Sequence, residues 1–555
     1  MLQAWRFANI VRTYAPSSIP KSKGALVSAP YILHSFTLRK KLVFGTIFMS
    51  LRGERPKPNN EAIQSIYTTF LDCRVARTSL LATTREIIIL RLYAPRRKWK
   101  MIKDSLIFSS LNKVLTNSQE KCSYLFENSL FLKNIDHFIF ATIIMILALS
   151  TFASSDVIGY VGLITIFLTI LKLFVKKGEQ IDGNLFETFL LVYFVIVIIS
   201  LSGSSLFHLS LKGFLKTFTY LGFYFSAVQY FKNNLSKIPF AIGTVAICAA
   251  SQGIIGIFQN FGQVAEISTW QDVSSINPED VMTRVYGSIQ PYNPNLLGGY
   301  LVASLPCLFG ANALLALSKQ YKLALVSFVF TIITIITLIL TGCRGAYIGL
   351  FVILACVFGL VGKFIWTNLE NNKELCKKIY LSALGAMVAF STAAMLFISS
   401  IRTRVFSIFV MRADSSTSFR FNVYQSAVNM AKDNWLLGIG VGNQNFREIY
   451  GLYMKTGFDA LSAYCIFLEI AVESGIFALL AFVAFLGVFG YKTFKFILDS
   501  NDLKSSIIVA VSLVTVIAVM VHGLVDTIFF RPQVQFVFWT MVASASAILN
   551  VKEAK

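Results

Sequence analysis

After Met101 the sequence uses arginine only eight times, at Arg284, Arg344, Arg402, Arg404, Arg412, Arg420, Arg447 and Arg531. A guanidinium offers a planar fork that grips a phosphate or carboxylate through two parallel N–H bonds, whereas a lysine ammonium acts as a point charge. Arginines set aside from the lysines therefore point to an anionic ligand. Three carboxylates could move a proton near them: Glu469 and Glu473, four residues apart on one helix face, and Asp459 in the loop before them. His522 and Asp526 are also four residues apart, with Arg531 following, and form an ionisable group at the end of an apolar run. Each of these sets also has a structural reading, as interhelical hydrogen-bond partners or as anchors of helix ends.

The glycines and prolines suggest how such groups are held. In "NWLLGIGVGNQNF", Gly438, Gly440 and Gly442 permit a tight turn and close backbone approach to a ligand, or a plain connection between helices. In "GSIQPYNPNLLGGY", Pro291 and Pro294 remove backbone donors and are expected to hold the chain extended, with Asn293 capping a helix that starts there. That helix N-terminus, beside Arg284, would itself favour an anion. Gly298 and Gly299 would let a neighbouring helix or lipid chain come close.

These residues are embedded in a strongly apolar chain. Of its 555 residues, 55% are hydrophobic and fifty are Phe, more than a water-soluble core can hide. Twelve apolar runs are long enough to cross a bilayer, at 137–154, 157–175, 186–203, 209–230, 238–260, 295–317, 323–341, 345–362, 379–400, 461–490, 505–525 and 533–549. The expected fold is an all-α polytopic membrane helix bundle of about twelve transmembrane helices. Lys212 and Lys216 interrupt the fourth run, and the tenth is long enough to include a tilted or interfacial piece.

Lysine-bearing short loops alternate with lysine-free ones, which by the positive-inside rule puts the former, and both ends of the chain from residue 101, in the cytoplasm. All eight arginines then fall on or near the outer face, several of them in two long outer loops at 262–294 and 401–460. The expected organisation is a basic extension over 1–100, a cytoplasmic lead-in over 101–136, spans one to nine over 137–400, the large outer loop, spans ten to twelve over 461–549, and a cytoplasmic tail over 550–555. Within the large loop, Phe421, Tyr424, Val428 and Ala431 recur at helical spacing and predict an amphipathic helix on the membrane surface.

The net charge of +22 does not signal nucleic acid. Residues 1–100 hold 18 Lys and Arg against 4 Asp and Glu, so most of the excess is local to a stretch that reads as a start codon assigned too early or a targeting segment. The eight cysteines are scattered without metal-ligand spacing, which argues against a zinc site or a disulfide framework. No cofactor or metal motif is present.

Taken in order, "RVYGSIQPYNPNLLGGY", "LTGCRGAYIGL", "SFRFNVYQSAVNMAKDNWLLGIGVGNQNF", "LSAYCIFLEIAVESGIF" and "HGLVDTIFFRPQVQFVFW" resemble the O-antigen ligase and polymerase superfamily over roughly residues 137–549. The phrases "ALSAYCIFLEIAVESG" and "GLVDTIFFRPQVQ" look closest to cyanobacterial proteins described as bicarbonate (inorganic carbon) transporters. The resemblance implies a bundle similar to the type-C glycosyltransferases, in the cytoplasmic (inner) membrane. It also implies, as substrate, a glycan such as a lipopolysaccharide precursor, carried on a polyprenyl pyrophosphate. Arg284 would match the arginine of the first loop, and Arg412 or Arg420 that of the second. The histidine that ligases of the superfamily place before the tenth span is absent here, where the chain reads Ser462, Ala463, Tyr464. Bicarbonate transport, or an accessory role in it, is the alternative that the closest branch implies.

Overall fold

The computed structural model describes residues 106–181, 183–262, 284–368, 373–397, 402 and 415–554. The extension over 1–100 and Arg412 lie outside them. The described residues form sixteen helices and no strand: α1 Leu106–Asn128, α2 Leu130–Lys133, α3 Ile135–Leu149, α4 Ser155–Val175, α5 Leu185–Ser202, α6 Phe207–Asn233, α7 Ile238–Phe261, α8 Pro294–Leu317, α9 Tyr321–Leu340, α10 Arg344–Asn368, α11 Lys373–Phe397, α12 Ser415–Asp433, α13 Asn443–Tyr450, α14 Ile466–Asp499, α15 Leu503–His522 and α16 Pro532–Ala554. Nine of these helices are long and apolar enough to cross a membrane. The protein is thus an all-α, multi-pass membrane protein. Each of the twelve apolar runs coincides with a helix. α3 is shorter than the nine, while α6 runs unbroken for 27 residues through Lys212 and Lys216.

In hydrocarbon, every backbone N–H and C=O must find a partner inside the protein, which is why apolar runs of this length fold as helices. Helices then associate through close packing, since lipid is as apolar as a leucine side chain. Small residues make that possible here. On α7, Gly253 and Gly256 face Thr334 and Thr337 of α9, and the Thr337 hydroxyl donates to the Gly253 carbonyl at 2.7 Å. Gly298 of α8 lies against Ala346 of α10, and Gly349 of α10 lies against Val302 of α8. α8 is apolar on all sides and sits among α7, α9, α10 and α15, with nearly every residue from Pro294 to Leu308 buried. α16 is more enclosed still: 89% of its span is buried, so it belongs to the interior of the bundle.

The two ends of the bundle differ in charge. At one end Lys172, buried to 2% exposure, bridges Asp136 at 2.7 Å and Glu179 at 3.1 Å, and Lys176 joins both carboxylates. α1 is tied to this end by Gln119, which donates to the carbonyls of Leu173 and Glu179. The six described arginines, Arg284, Arg344, Arg402, Arg420, Arg447 and Arg531, all belong to segments at the opposite end.

One local expectation is corrected. The chain around Pro291 turns rather than extends: Tyr292 has φ 57° and its N–H closes onto the Ile289 carbonyl at 2.7 Å. On α12, the apolar residues at helical spacing divide between an exposed and a buried face. Phe421 and Val428 are exposed, whereas Val423, Ala427 and Met430 are fully buried against Phe446, Tyr450 and Ala463.

Candidate functional site

At the arginine end, four segments meet: the start of α12, the approach to α14, the turn after α15, and the α9–α10 junction. Arg420, on the first turns of α12, points its guanidinium at Asp526, with Nη2 and Oδ2 3.8 Å apart. Its Cζ lies over the ring of Tyr464, 5.7 Å from the centroid. Among the described residues the guanidinium makes no hydrogen bond, although its side chain is only 21% exposed. Five donors held in a fixed fork are therefore left for an acceptor from outside.

Asp526 is held from its own side. Its Oδ1 accepts the Thr527 N–H at 2.7 Å, and the Thr527 hydroxyl shares a hydrogen bond with Ser462 at 2.6 Å. The Gly523 carbonyl accepts the Ile466 N–H at 2.8 Å. The turn after α15 and the approach to α14 are thus pinned together, and between the pins Tyr464 adopts φ 50°, a conformation uncommon outside glycine. Burial, with Asp526 adding to it, holds the Tyr464 phenol above its usual pKa range, so it is protonated and can donate at neutral pH.

His522 ends α15 and is fully buried, with Nε2 3.8 Å from the Cys343 sulfur. Its Nδ1 has no partner among the described residues. Gly345 makes room for the ring: a Cβ there would come within 2.6 Å of the imidazole. His522 and Asp526 do not share a helix face as their spacing suggested, because Gly523 caps α15 and Asp526 lies in the turn beyond. The turn nevertheless keeps them close enough for the Asp526 charge to act on the imidazole.

Arg284 reaches the same neighbourhood from the other long loop. Its Nε donates to the Thr341 carbonyl at 2.8 Å and one terminal nitrogen donates to Asn295 Oδ1 at 2.6 Å. Asn293 caps α8 by accepting the Asn295 and Leu296 N–H groups. Arg284 is therefore locked to the α8 N-terminus and to the turn at Gly342, whose φ of 61° brings the backbone against the arginine side chain. The charges of both Arg284 and Arg420 act on Cys343, so both guanidinium groups lie in its neighbourhood. Arg531 lies near enough to Glu469 for its charge to act on that carboxyl.

The three carboxylates singled out as bases each have one partner. Glu469 is 3% exposed and accepts the Ala463 N–H at 2.9 Å. Asp459 pairs with Arg447 at 2.8 Å on the surface, where both side chains are about half exposed. Glu473 is 5% exposed and its Oε1 accepts the Gly442 N–H at 2.8 Å.

Glu473 belongs to a break in α14 at Gly475, where φ 80° and ψ 177° interrupt the helix. The turn at Gly438 and Gly440 fills that break. Ile439 and Gly440 donate their N–H groups to the carbonyls of Val472 and Glu473, both at 2.9 Å, and Ile476 donates to the Trp435 carbonyl at 2.9 Å. The glycines thus serve close backbone contact, with Gly438 against Glu473 and Gly440 against Ser204 and Ser210.

The role of Glu473 as an anchor predicts that Glu473→Gln, which still offers an acceptor to Gly442, retains activity within about tenfold. Glu473→Ala, which leaves a part-buried N–H unpaired, should destabilise the protein by about 1–3 kcal/mol. Activity and thermal unfolding in detergent read the two effects apart. A general base would instead lose activity in the glutamine variant with no loss of stability.

Residues 329–483, from within α9 across the break in α14, match the family model described as O-antigen ligase. That segment is O-antigen ligase-like. The O-antigen ligase match includes Cys343, Arg420, Tyr464, Glu469 and Glu473; Arg284 precedes it, and His522 and Asp526 follow it. No curated protein matches the chain. Cys343 and Tyr464, which the sequence did not single out, lie inside the stretches "LTGCRGAYIGL" and "LSAYCIFLEIAVESGIF" that carried the resemblance.

Proposed function

We propose that this O-antigen ligase-related protein transfers or polymerises a glycan carried on a polyprenyl pyrophosphate, at the outer face of the cytoplasmic membrane. The observation that carries this reading is Arg420, a half-buried guanidinium with no hydrogen bond among the described residues. An anion with several oxygens is the ligand that such a fork suits.

In this reading the pyrophosphate sits between Arg284 and Arg420. Arg284, rigidly hydrogen-bonded, contributes a fixed positive field, and Arg420 contributes the bidentate grip. The acceptor hydroxyl attacks the anomeric carbon, and the bond to the phosphate oxygen breaks with its electron pair passing to the pyrophosphate. The charge that develops on the leaving group meets a prearranged cation, which lowers the barrier without a proton transfer to that oxygen. The polyprenyl tail remains in the bilayer, and both ends of the chain from residue 101 are cytoplasmic.

Deletion of the gene, followed by electrophoresis of the envelope glycan, tests this directly. The polymer ladder should shorten or vanish, the wild-type gene should restore it, and the gene with Arg284→Ala and Arg420→Ala should not. An unchanged ladder overturns the proposal and makes uptake of labelled bicarbonate the next assay.

A further inference from the structure

We infer that Asp526 is the carboxylate that accepts the proton of the acceptor hydroxyl, and that Arg420 masks it until an anionic donor draws the guanidinium away. This rests on the glycan-transfer reading above and assigns an order to it: donor first, acceptor second.

The geometry of the pair is the starting point. At 3.8 Å, Arg420 and Asp526 attract each other but are too far apart for a hydrogen bond. The side chains are 21% and 11% exposed, so water only partly screens the attraction. Such a contact holds in the absence of a better partner and yields to one. A pyrophosphate carries more charge than one carboxylate and can accept two parallel N–H bonds from the fork.

The two partners are not equally free to move. Asp526 is fixed through Thr527, whose N–H holds Oδ1 and whose hydroxyl is tied to Ser462. Arg420 ends a long side chain that rests on the face of the Tyr464 ring, a contact along which a guanidinium can slide. When the anion binds, Arg420 is the partner that shifts, and Oδ2 of Asp526 is left facing the site.

Of the nearby carboxylates, Asp526 is the one that faces Arg420. Glu469 and Glu473 are committed to the N–H groups of Ala463 and Gly442, and Asp459 is paired with Arg447 on the surface. His522, below the turn, offers a buried Nδ1 with no partner among the described residues, close enough to feel the Asp526 charge.

The step balances without any further reactant. The hydroxyl proton passes to Asp526 Oδ2 as the oxygen bonds to the anomeric carbon, and the phosphate oxygen departs keeping the bonding pair, its charge met by Arg420. No centre is oxidised or reduced.

The test uses the full chain in lipid nanodiscs, with polyprenyl pyrophosphate as the binding probe and a lipid-linked oligosaccharide as donor. Asp526→Asn removes the competitor for Arg420, so the probe should bind several-fold more tightly while transfer falls by about 10²-fold or more. Asp526→Glu keeps the carboxylate and should recover much of the transfer, which separates chemistry from misfolding. Arg420→Ala should lose binding and transfer together. A residue that only supports the fold would lower binding and transfer alike, so weaker binding by Asp526→Asn overturns the inference, as does transfer within about threefold of wild type. If the wild-type protein itself transfers no glycan, the glycan reading falls and this inference falls with it. If the wild type transfers but the asparagine variant shows no split, only the inference falls.

Discussion

Arg420→Lys is expected to lose glycan transfer almost as completely as Arg420→Ala, by about 10²–10³-fold, the range seen when one transition-state donor is removed. Charge is conserved in this substitution, so a simple electrostatic role predicts near-normal activity. The geometry predicts otherwise. An ammonium cannot present two parallel donors to a pyrophosphate, and it stacks less well on the Tyr464 ring, 5.7 Å below the guanidinium. The lysine would also be free to pair closely with Asp526 and keep that carboxylate occupied. Arg447→Lys is the matched control. Arg447 and Asp459 form an exposed pair at 2.8 Å, of a kind worth about 0–1 kcal/mol, and its loss should leave transfer unchanged. Transfer from a lipid-linked donor in nanodiscs measures both, and retention of more than about a tenth of wild-type rate by Arg420→Lys would show that charge alone suffices.

The spans were legible because an apolar run of about twenty residues has few alternatives to a helix. Which face of a helix meets protein was far less legible. On α12, both Phe421, Tyr424, Val428 and Ala431 and the buried set Val423, Ala427 and Met430 have helical spacing. Periodicity separates apolar from polar faces, but it cannot separate an apolar face turned to lipid from one turned to protein. The arginine segregation was visible in the sequence, because it needed only topology. The division of labour among carboxylates was not. Glu469 and Asp526 are alike as letters and each accepts one backbone N–H, from Ala463 and Thr527; what sets Asp526 apart is that its Oδ2 faces an arginine. His522 and Asp526 lie near each other, but through a turn after Gly523 rather than along a helix, a detail that spacing alone cannot supply.

The break in α14 was the least legible feature, and it carries the largest expected effect on folding. A glycine within "EIAVESGIFALL" reads as an ordinary small residue in a span. At φ 80° and ψ 177°, however, Gly475 occupies a backbone region that is essentially closed to other residues. A Cβ there would also collide with the carbonyl of Leu436. Relief of that collision would pull the 435–442 segment away from α14 and strand the Val472 and Glu473 carbonyls and the Ile476 N–H that it now satisfies. Gly475→Ala should therefore cost about 3–6 kcal/mol, as backbone strain of about 1–3 kcal/mol plus two or three lost hydrogen bonds at about 1 kcal/mol each. Gly487, further along the same helix, has open space where its Cβ would be, so Gly487→Ala should leave stability unchanged or slightly raised. Size-exclusion profiles and thermal unfolding in detergent would compare the two. A monodisperse Gly475→Ala protein with a wild-type melting temperature would mean that the break is incidental. Loss of the folded fraction in that variant alone would mean that the glycine turn and the broken helix form one unit, on which the placement of Tyr464, and through it Arg420, depends.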